Sequence, residues 1–593
     1  MCGIAVIIAK ENAFIERDEI ENMTRLVAHR GPDGEGFFME KNIAFGHRRL
    51  AILDLQQRGS QPMHCIDENY TIVHNGEIYN YLEIRQLLTT QHYQFETETD
   101  TEVIVAAYDC WGERCVERFN GMWAFVIYDK KKQLIFASRD RFGVKPMYYF
   151  ENNEKIYLVS ELKQLTASAD WQPRINKSVA ADFLEKGLKN HTEATFFENV
   201  FSIPAAHNFI YSLERQDFKI KKYYQLPAPV KKKTPSNFQN TKTQFLELLS
   251  DAVRLRLRSD VAVGTTLSGG LDSTSITALA AELLPHRPPT VSACFPKEKN
   301  DESKFVAFVT DYLHLENKPV YPTFQQTMDD LPKVVWQQDE PIGSASVVAQ
   351  YQVFREANRN KIPVMLDGQG ADEILFGYNS FYKIYFKNLF RTNLLKSLLA
   401  VTNLFRFDAG FAQLIFGKKT IFPDFLVQKS THKIQKVKNM SEMSQKMLQI
   451  NPLPSLLHYA DRNSMAASIE SRLPFMDFRL IEFCFEIPDD YKIYFGKRKY
   501  ILREAMKSKI PKEIYLRYDK LAFATPQDDW MRQNAAFFRQ KLEHIGDQNT
   551  DFVNSQALLV AFDTFLGNSK ISSDVFWRVL TFGIWRKIFF EQT

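Results

Sequence analysis

The run Val261-Ala-Val-Gly-Thr-Thr-Leu267 passes directly into Ser268-Gly-Gly-Leu-Asp-Ser273, after which Thr274 to Leu284 reads as a helix. An apolar β-prone stretch, a glycine-rich polar turn and a helix start leave the backbone little choice. The turn must bring N–H groups and a helix N-terminus to one point, and that point suits a phosphate. Gly269 and Gly270 let the chain approach closely, Ser268 and Ser273 add hydroxyl donors, and Asp272 adds a carboxylate able to hold a divalent metal. A plain turn accounts for two glycines but not for the serines and aspartate around them. No lysine follows the glycines, so this is not the G-x-x-x-x-G-K-[ST] loop.

Beyond the loop, strand-like segments 289–295, 318–321 and 362–367 alternate with helical segments 301–313 and 329–338, and an amphipathic helix over 245–257 precedes it. Such alternation predicts a parallel sheet covered on both faces, with ligands beyond the strand C-termini. Two loops should then share one crevice: 268–273 and Asp367-Gly-Gln-Gly-Ala-Asp-Glu373. Asp272 and Asp372 are the expected pair for a Mg2+ ion bridging phosphates, with Glu373 as a capping or supporting group. The 268–273 loop resembles the pyrophosphate loop of ATP pyrophosphatases. That resemblance implies ATP as co-substrate, cleaved between its α and β phosphates, and places Leu267, Ser268, Gly269, Gly270, Asp272, Ser273 and Gly368 around the nucleotide.

In the first half, Ile4-Ala-Val-Ile-Ile8 reads as a buried strand with Cys2 at its leading edge. Removing Met1 would expose the Cys2 α-amine, whose ordinary pKa of about 8 leaves enough neutral amine to take the thiol proton. Turn-rich segments 29–33, 46–54, 74–80, 98–102 and 139–146 border β-rich runs such as Phe125–Asp129 and Leu134–Ser138, the pattern of stacked antiparallel sheets with loops meeting at one edge. The set resembles the glutamine amidotransferases of the N-terminal-nucleophile (Ntn) type, which implies an αββα sandwich over residues 2–215. By that resemblance Cys2 attacks the glutamine side-chain amide, and the Asn75 side chain and Gly76 N–H form the oxyanion hole. Arg49 holds the α-carboxylate, Glu77 and Asp100 the α-ammonium. Arg48 reads as structural. Taken singly, Asn75-Gly76 also fits a hairpin turn and Asp100 a helix N-cap before Glu102 to Tyr108.

Further on, Tyr459-Ala-Asp-Arg-Asn-Ser-Met465, Glu470-Ser-Arg-Leu-Pro-Phe-Met-Asp477 and Gly496-Lys-Arg-Lys-Tyr-Ile-Leu-Arg503 are similar to segments of the asparagine synthetase family. The likeness covers residues 1–380 and 455–530. It implies that Lys499 meets the pyrophosphate and the charge developing at the α-phosphorus; Lys497 and Arg498 read as solvated surface cations. The implied reaction takes ATP, aspartate and glutamine to AMP, diphosphate, asparagine and glutamate, with ammonia passing through a shielded route. One position departs: Gln369 stands where well-studied members carry Glu, and Gln cannot ionise. A related enzyme amidating another carboxylate, such as a sugar acid or peptide, is the alternative. An amidophosphoribosyltransferase would share the Cys2-Gly3 start but has no use for the 268–273 loop.

The expected layout is an α+β Ntn-hydrolase sandwich (2–215), a linker (225–243) and an α/β ATP-pyrophosphatase domain (244–535). A helical insert (381–454) and a helical tail (536–593) complete it, without a role. A net charge of +4 over 593 residues argues against nucleic-acid or membrane partners, and the Lys231–Lys233 run reads as a solvated face. Residues 388–417 are interrupted by Arg391, Lys396, Arg406 and Asp408, against a membrane span. Six cysteines without metal-ligand spacing and no secretory leader suit a cytoplasmic protein. The partners are small-molecule substrates, and a homodimer is compatible with the family.

Overall fold

The computed structural model describes residues 2–11, 13–227, 237–296, 298, 301–392, 400–402, 422–433, 436–518, 525–567 and 571–591. The lysine run 231–233 and much of the 381–454 insert lie outside the described residues.

The first half is two six-stranded antiparallel sheets. In one, the strand Cys2–Ala9 lies between Ile43–Arg49 and Lys155–Val159; all eight of its residues are buried, so it is a two-sided core strand. In the other, Tyr70–Ile78 pairs with Gly121–Asp129 in a nine-residue register. Ile4, Val6 and Ile8 face Val73, Ala124 and Val126, forming the core between the sheets. Helices cover both outer faces. Arg17–Arg25 and Lys177–Lys186 pack on the first sheet, and Tyr81–Thr89 and Asp100–Trp111 on the second. The result is the α+β sandwich expected from the sequence.

The second half is built on a five-stranded parallel sheet. Its order is Asn317–Val320, Thr290–Ala293, Val263–Thr266, Val364–Leu366 and Glu470–Arg472. Three of these strands fall within the segments the sequence marks, and Asn317–Val320 overlaps a fourth, 318–321. The fifth, Glu470–Arg472, does not read as a strand, because buried parallel strands ordinarily show apolar runs. Here Glu470 and Arg472 are fully buried and neutralise each other. Helices Phe238–Arg256, Leu271–Leu283, Phe324–Gln338 and Ser346–Arg359 enclose the sheet; the last has no counterpart in the sequence reading. Helices Ala535–Gln548, Ser555–Gly567 and Ser573–Phe590 form the tail, and their apolar faces join one core with helix Lys177–Lys186 of the first half. Among the described residues no helix is long and apolar enough to cross a membrane.

Candidate active sites

One candidate site is the group of residues gathered at the start of the first strand, and the other is a cavity at the C-terminal edge of the parallel sheet. At that start, Cys2 pairs in register with Arg49 on the adjacent strand. The Cys2 backbone nitrogen donates to Asn75 Oδ1 at 3.0 Å, which leaves Asn75 Nδ2 buried with no protein partner. Asn75 and Gly76 sit inside the strand Tyr70–Ile78, not in a hairpin turn. A Cβ on Gly76 would come 2.1 Å from the Met122 carbonyl oxygen, so only glycine lets these strands meet here. Arg49 is fixed from behind: its guanidinium donates to the Gln56 carbonyl at 2.8 Å and to the Asp54 carbonyl. The helix cap is Thr99 rather than Asp100, whose carboxylate accepts from Ile78 N–H at 2.7 Å. Arg48 turns away to Glu35 at 2.8 Å.

Burial dominates the electrostatics of this pocket. It pushes the Cys2 thiol up, against the pull of the amino terminus and Arg49. It raises Asp100 to about 6, and raises Glu77 well above the carboxylate range with help from the neighbouring Glu470 and Asp100 charges. His47 and His74, the nearby imidazoles, are driven by burial down to about 3 and stay neutral. They are too weakly basic to take a thiol proton.

The second pocket is a cavity of ≈ 460 Å³ whose walls include both the 268–273 and 367–373 loops. Leu267, Ser268, Gly270, Asp272, Ser273, Gly368 and Asp372 all line it. Gly269 does not; it is buried against Phe305 with φ +69, and a Cβ there would lie 2.6 Å from Phe305 Cβ. The loop is tied by its own hydroxyls, with Ser268 Oγ and Ser273 Oγ 3.1 Å apart. The two loops touch closely: a Cβ on Gly368 would meet Ser273 N at 3.0 Å. Asp272 and Asp372 converge on the Lys499 ammonium, at 2.6 Å from Asp372. Two hard carboxylates already gathered on one cation are a donor set that suits Mg2+.

Arg498 corrects the sequence reading. It is buried, donates to the Gly377 carbonyl at 2.7 Å and to the Tyr518 carbonyl at 3.1 Å, and lines the cavity. A two-residue ribbon, Ile493–Tyr494 with Lys497–Arg498, turns it inward while Lys497 stays half-buried. Arg503 and Arg517 join the same wall, and neither stands out in the sequence. Their backbone-facing hydrogen bonds, Arg503 to Tyr515 O at 2.8 Å and Arg517 to Gly269 O at 3.1 Å, fix them as part of the lining. Gln369 lines the cavity too, and its Oε1 is buried with no partner in the protein. The opposite wall, Val291, Ala293, Val347 and Val353, is apolar.

Buried charges join the pockets. Arg30 donates to the Cys2 carbonyl at 2.9 Å and to both oxygens of Asp461, at 2.9 and 3.2 Å. Arg472 approaches Glu77 at 3.8 Å, while its carbonyl accepts from Asp367 N–H at 2.9 Å. Arg462 pairs with Glu161 and with Asp339, each at 3.1 Å. These residues stand in the 459–465 and 470–477 segments, whose composition alone gives no sign that their charges face another domain.

Residues 1–224 match the sequence family described as a glutamine amidotransferase domain, and residues 244–587 match the family described as asparagine synthase. Glutamine-hydrolyzing asparagine synthetase 1 of Bacillus subtilis (strain 168) is 29% identical over 648 aligned residues, which cover all of this chain and 97% of that one. Asparagine synthetase 3 of the same organism is 30% identical over 87% of this chain and 86% of its own. Amidase chyE of Penicillium rubens is 26% identical over 89% of each chain.

Proposed function

The chain belongs to the asparagine synthetase family, and from that membership we propose that it is a glutamine-hydrolysing, ATP-dependent ligase that converts aspartate to asparagine through its two pockets. The observation that carries this reading is the pairing in one polypeptide of Cys2 beside Arg49 and Asn75 with a Ser-Gly-Gly loop facing Asp372 and Lys499.

In the first pocket the α-amine of Cys2, freed by loss of Met1, takes the thiol proton. The thiolate attacks the glutamine amide carbon. The Asn75 Nδ2 donor and the Gly76 N–H stabilise the oxyanion, and the amine returns its proton to the departing ammonia. Water then hydrolyses the thioester to glutamate. Arg49 holds the substrate carboxylate, and Glu77 and Asp100 hold its ammonium.

In the second pocket the apolar wall receives the adenine, and the 268–273 loop with the helix N-terminus receives the phosphates. Asp272 and Asp372 would hold Mg2+, which when bound offsets phosphate charge. Lys499 then turns from the carboxylates to the pyrophosphate, with Arg498 and Arg517 beside it. The acceptor carboxylate attacks the α-phosphorus and expels pyrophosphate to give an acyl-adenylate, and ammonia then attacks the acyl carbon and displaces AMP.

Gln369 favours a second acceptor reading. Its buried oxygen without a protein partner calls for a hydrogen-bond donor on the acceptor. The aspartate ammonium could supply one, and so could a hydroxyl or amide of another acid, so it is the loss of an ionisable group at this position that keeps the second acceptor open. Pyrophosphate release with Mg2+, ATP and glutamine across a panel of acids separates the two. Aspartate-dependent release with asparagine formed supports the first reading, and release with another acid replaces it. Cys2→Ala should lose glutamine-dependent amide formation by several orders of magnitude and keep the ammonia-dependent reaction. Loss of both would refute two separate sites.

A further inference from the structure

Helix Lys177–Lys186 carries Asp182 on its inner face, and the chain that leaves the helix brings His191 back against it. His191 Nε2 and Asp182 Oδ2 are 2.9 Å apart, and the two side chains are 1% and 7% exposed. A third group arrives from far along the sequence. His432, in the insert, sets its ring at 87° to that of His191 with centroids 4.8 Å apart. One ligand atom from each of Asp182, His191 and His432 falls within 4.8 Å of the others.

Ordinary hydrogen bonding does not complete this cluster. His191 Nδ1 is buried and has no protein partner, although a histidine kept only for structure usually satisfies both ring nitrogens. The segment holding His432 is meanwhile well fixed. Ser430 N–H donates to Glu185 at 2.7 Å, Ser430 Oγ donates to Asp182 Oδ1, and Lys186 donates to Ser430 Oγ and to the His432 carbonyl, both at 2.8 Å. Lys186 is thus spent on neutral oxygens and makes no ion pair with Asp182 among the described residues. Asp182 meets Ser430 with one oxygen and His191 with the other, with His432 close by.

Two imidazoles and a carboxylate are the donor set of a tetrahedral Zn2+ site with one open position. We propose that Asp182, His191 and His432 form a zinc site that clamps the insert onto the first half of the chain. The site lies apart from both pockets and uses none of their catalytic residues. Through it the insert holds its segment 430–432 against the helix whose C-terminal carbonyls also receive Arg578 of the tail, at 3.1 Å.

The test uses the full-length protein, stripped with chelator and kept in excess Mg2+ to saturate the carboxylate pair near Lys499. Zn2+ is then titrated against a chromogenic chelator. The proposal expects one tight equivalent in the wild type, weakened at least about tenfold by His191→Ala and by His432→Ala. Co2+ in its place should give the intense visible bands of a tetrahedral ion, absent in His432→Ala. Zn2+ should also raise the melting temperature of the wild type but not of that variant. His432 is only partly buried, so its variant keeps the test valid if His191→Ala folds poorly. Equal Zn2+ uptake by wild type and both variants, or no tight equivalent in the wild type, overturns the proposal.

Discussion

At the residue scale, the proposed glutamine site depends on charges kept where burial opposes them. Asp100 titrates at about 6 because its surroundings are dry. Above that value it is an anion that attracts an ammonium; below it the carboxyl is neutral and the attraction is lost. The sign follows directly: the KM for glutamine should rise as pH falls through about 6, and Asp100→Asn should show a high KM that no longer responds in that range. Glutaminase kinetics against pH check this, and a KM that is flat in the wild type would remove Asp100 from the ammonium site. Cys2, Asn75, Gly76, Arg49 and Asp100 were nominated from the sequence because each residue type matches one need of amide hydrolysis, and the structure sets Arg49 and Asn75 beside Cys2. Arg498 was not. Nothing in Gly-Lys-Arg-Lys distinguishes an inward cation from its solvated neighbours; the short ribbon at 493–498 makes that distinction.

At the element scale, the strand–loop–helix unit around Ser268 was readable because glycine placement and hydrophobic pattern agree. Gly269 holds a left-handed conformation with no room for a side chain. Gly269→Ala costs about 1–2 kcal/mol from backbone strain alone, and its contact with Phe305 would shift the loop. The KM for ATP should therefore rise about tenfold or more, while glutamate formation without ATP persists. Parallel assays of pyrophosphate and glutamate read both, and an unchanged ATP KM would contradict the loop's role. The strand Glu470–Arg472 shows the limit of pattern reading. Its three residues carry two opposite charges, and it is a core strand only because those charges meet each other and the carbonyls of Arg256 and Arg258, both accepting from Arg472, at 2.8 and 2.6 Å.

At the scale of the whole molecule, the two halves are held by ion pairs that water does not reach. Burial by itself would raise the Asp461 carboxyl, but Arg30 and Lys145 hold it down at about 2. Asp461→Ala strands Lys145 in the interior and leaves Arg30 with Glu161 alone, and it should cost about 3–5 kcal/mol, seen as a lowered melting temperature. Because Arg30 also holds the Cys2 carbonyl, the variant should form more glutamate per AMP than the wild type. A ratio equal to wild type would place Asp461 in stability alone. The sequence by itself determined the candidates for the chemistry: a thiol at position two, a glycine-serine loop, two carboxylates and a lysine, each marked by local spacing. Only the tertiary structure decided which of its many other charges matter. Asp182 with His432, Arg30 with Asp461 and Glu77 with Arg472 are brought together across hundreds of residues, and a buried charge gains its meaning from the partner that replaces water around it.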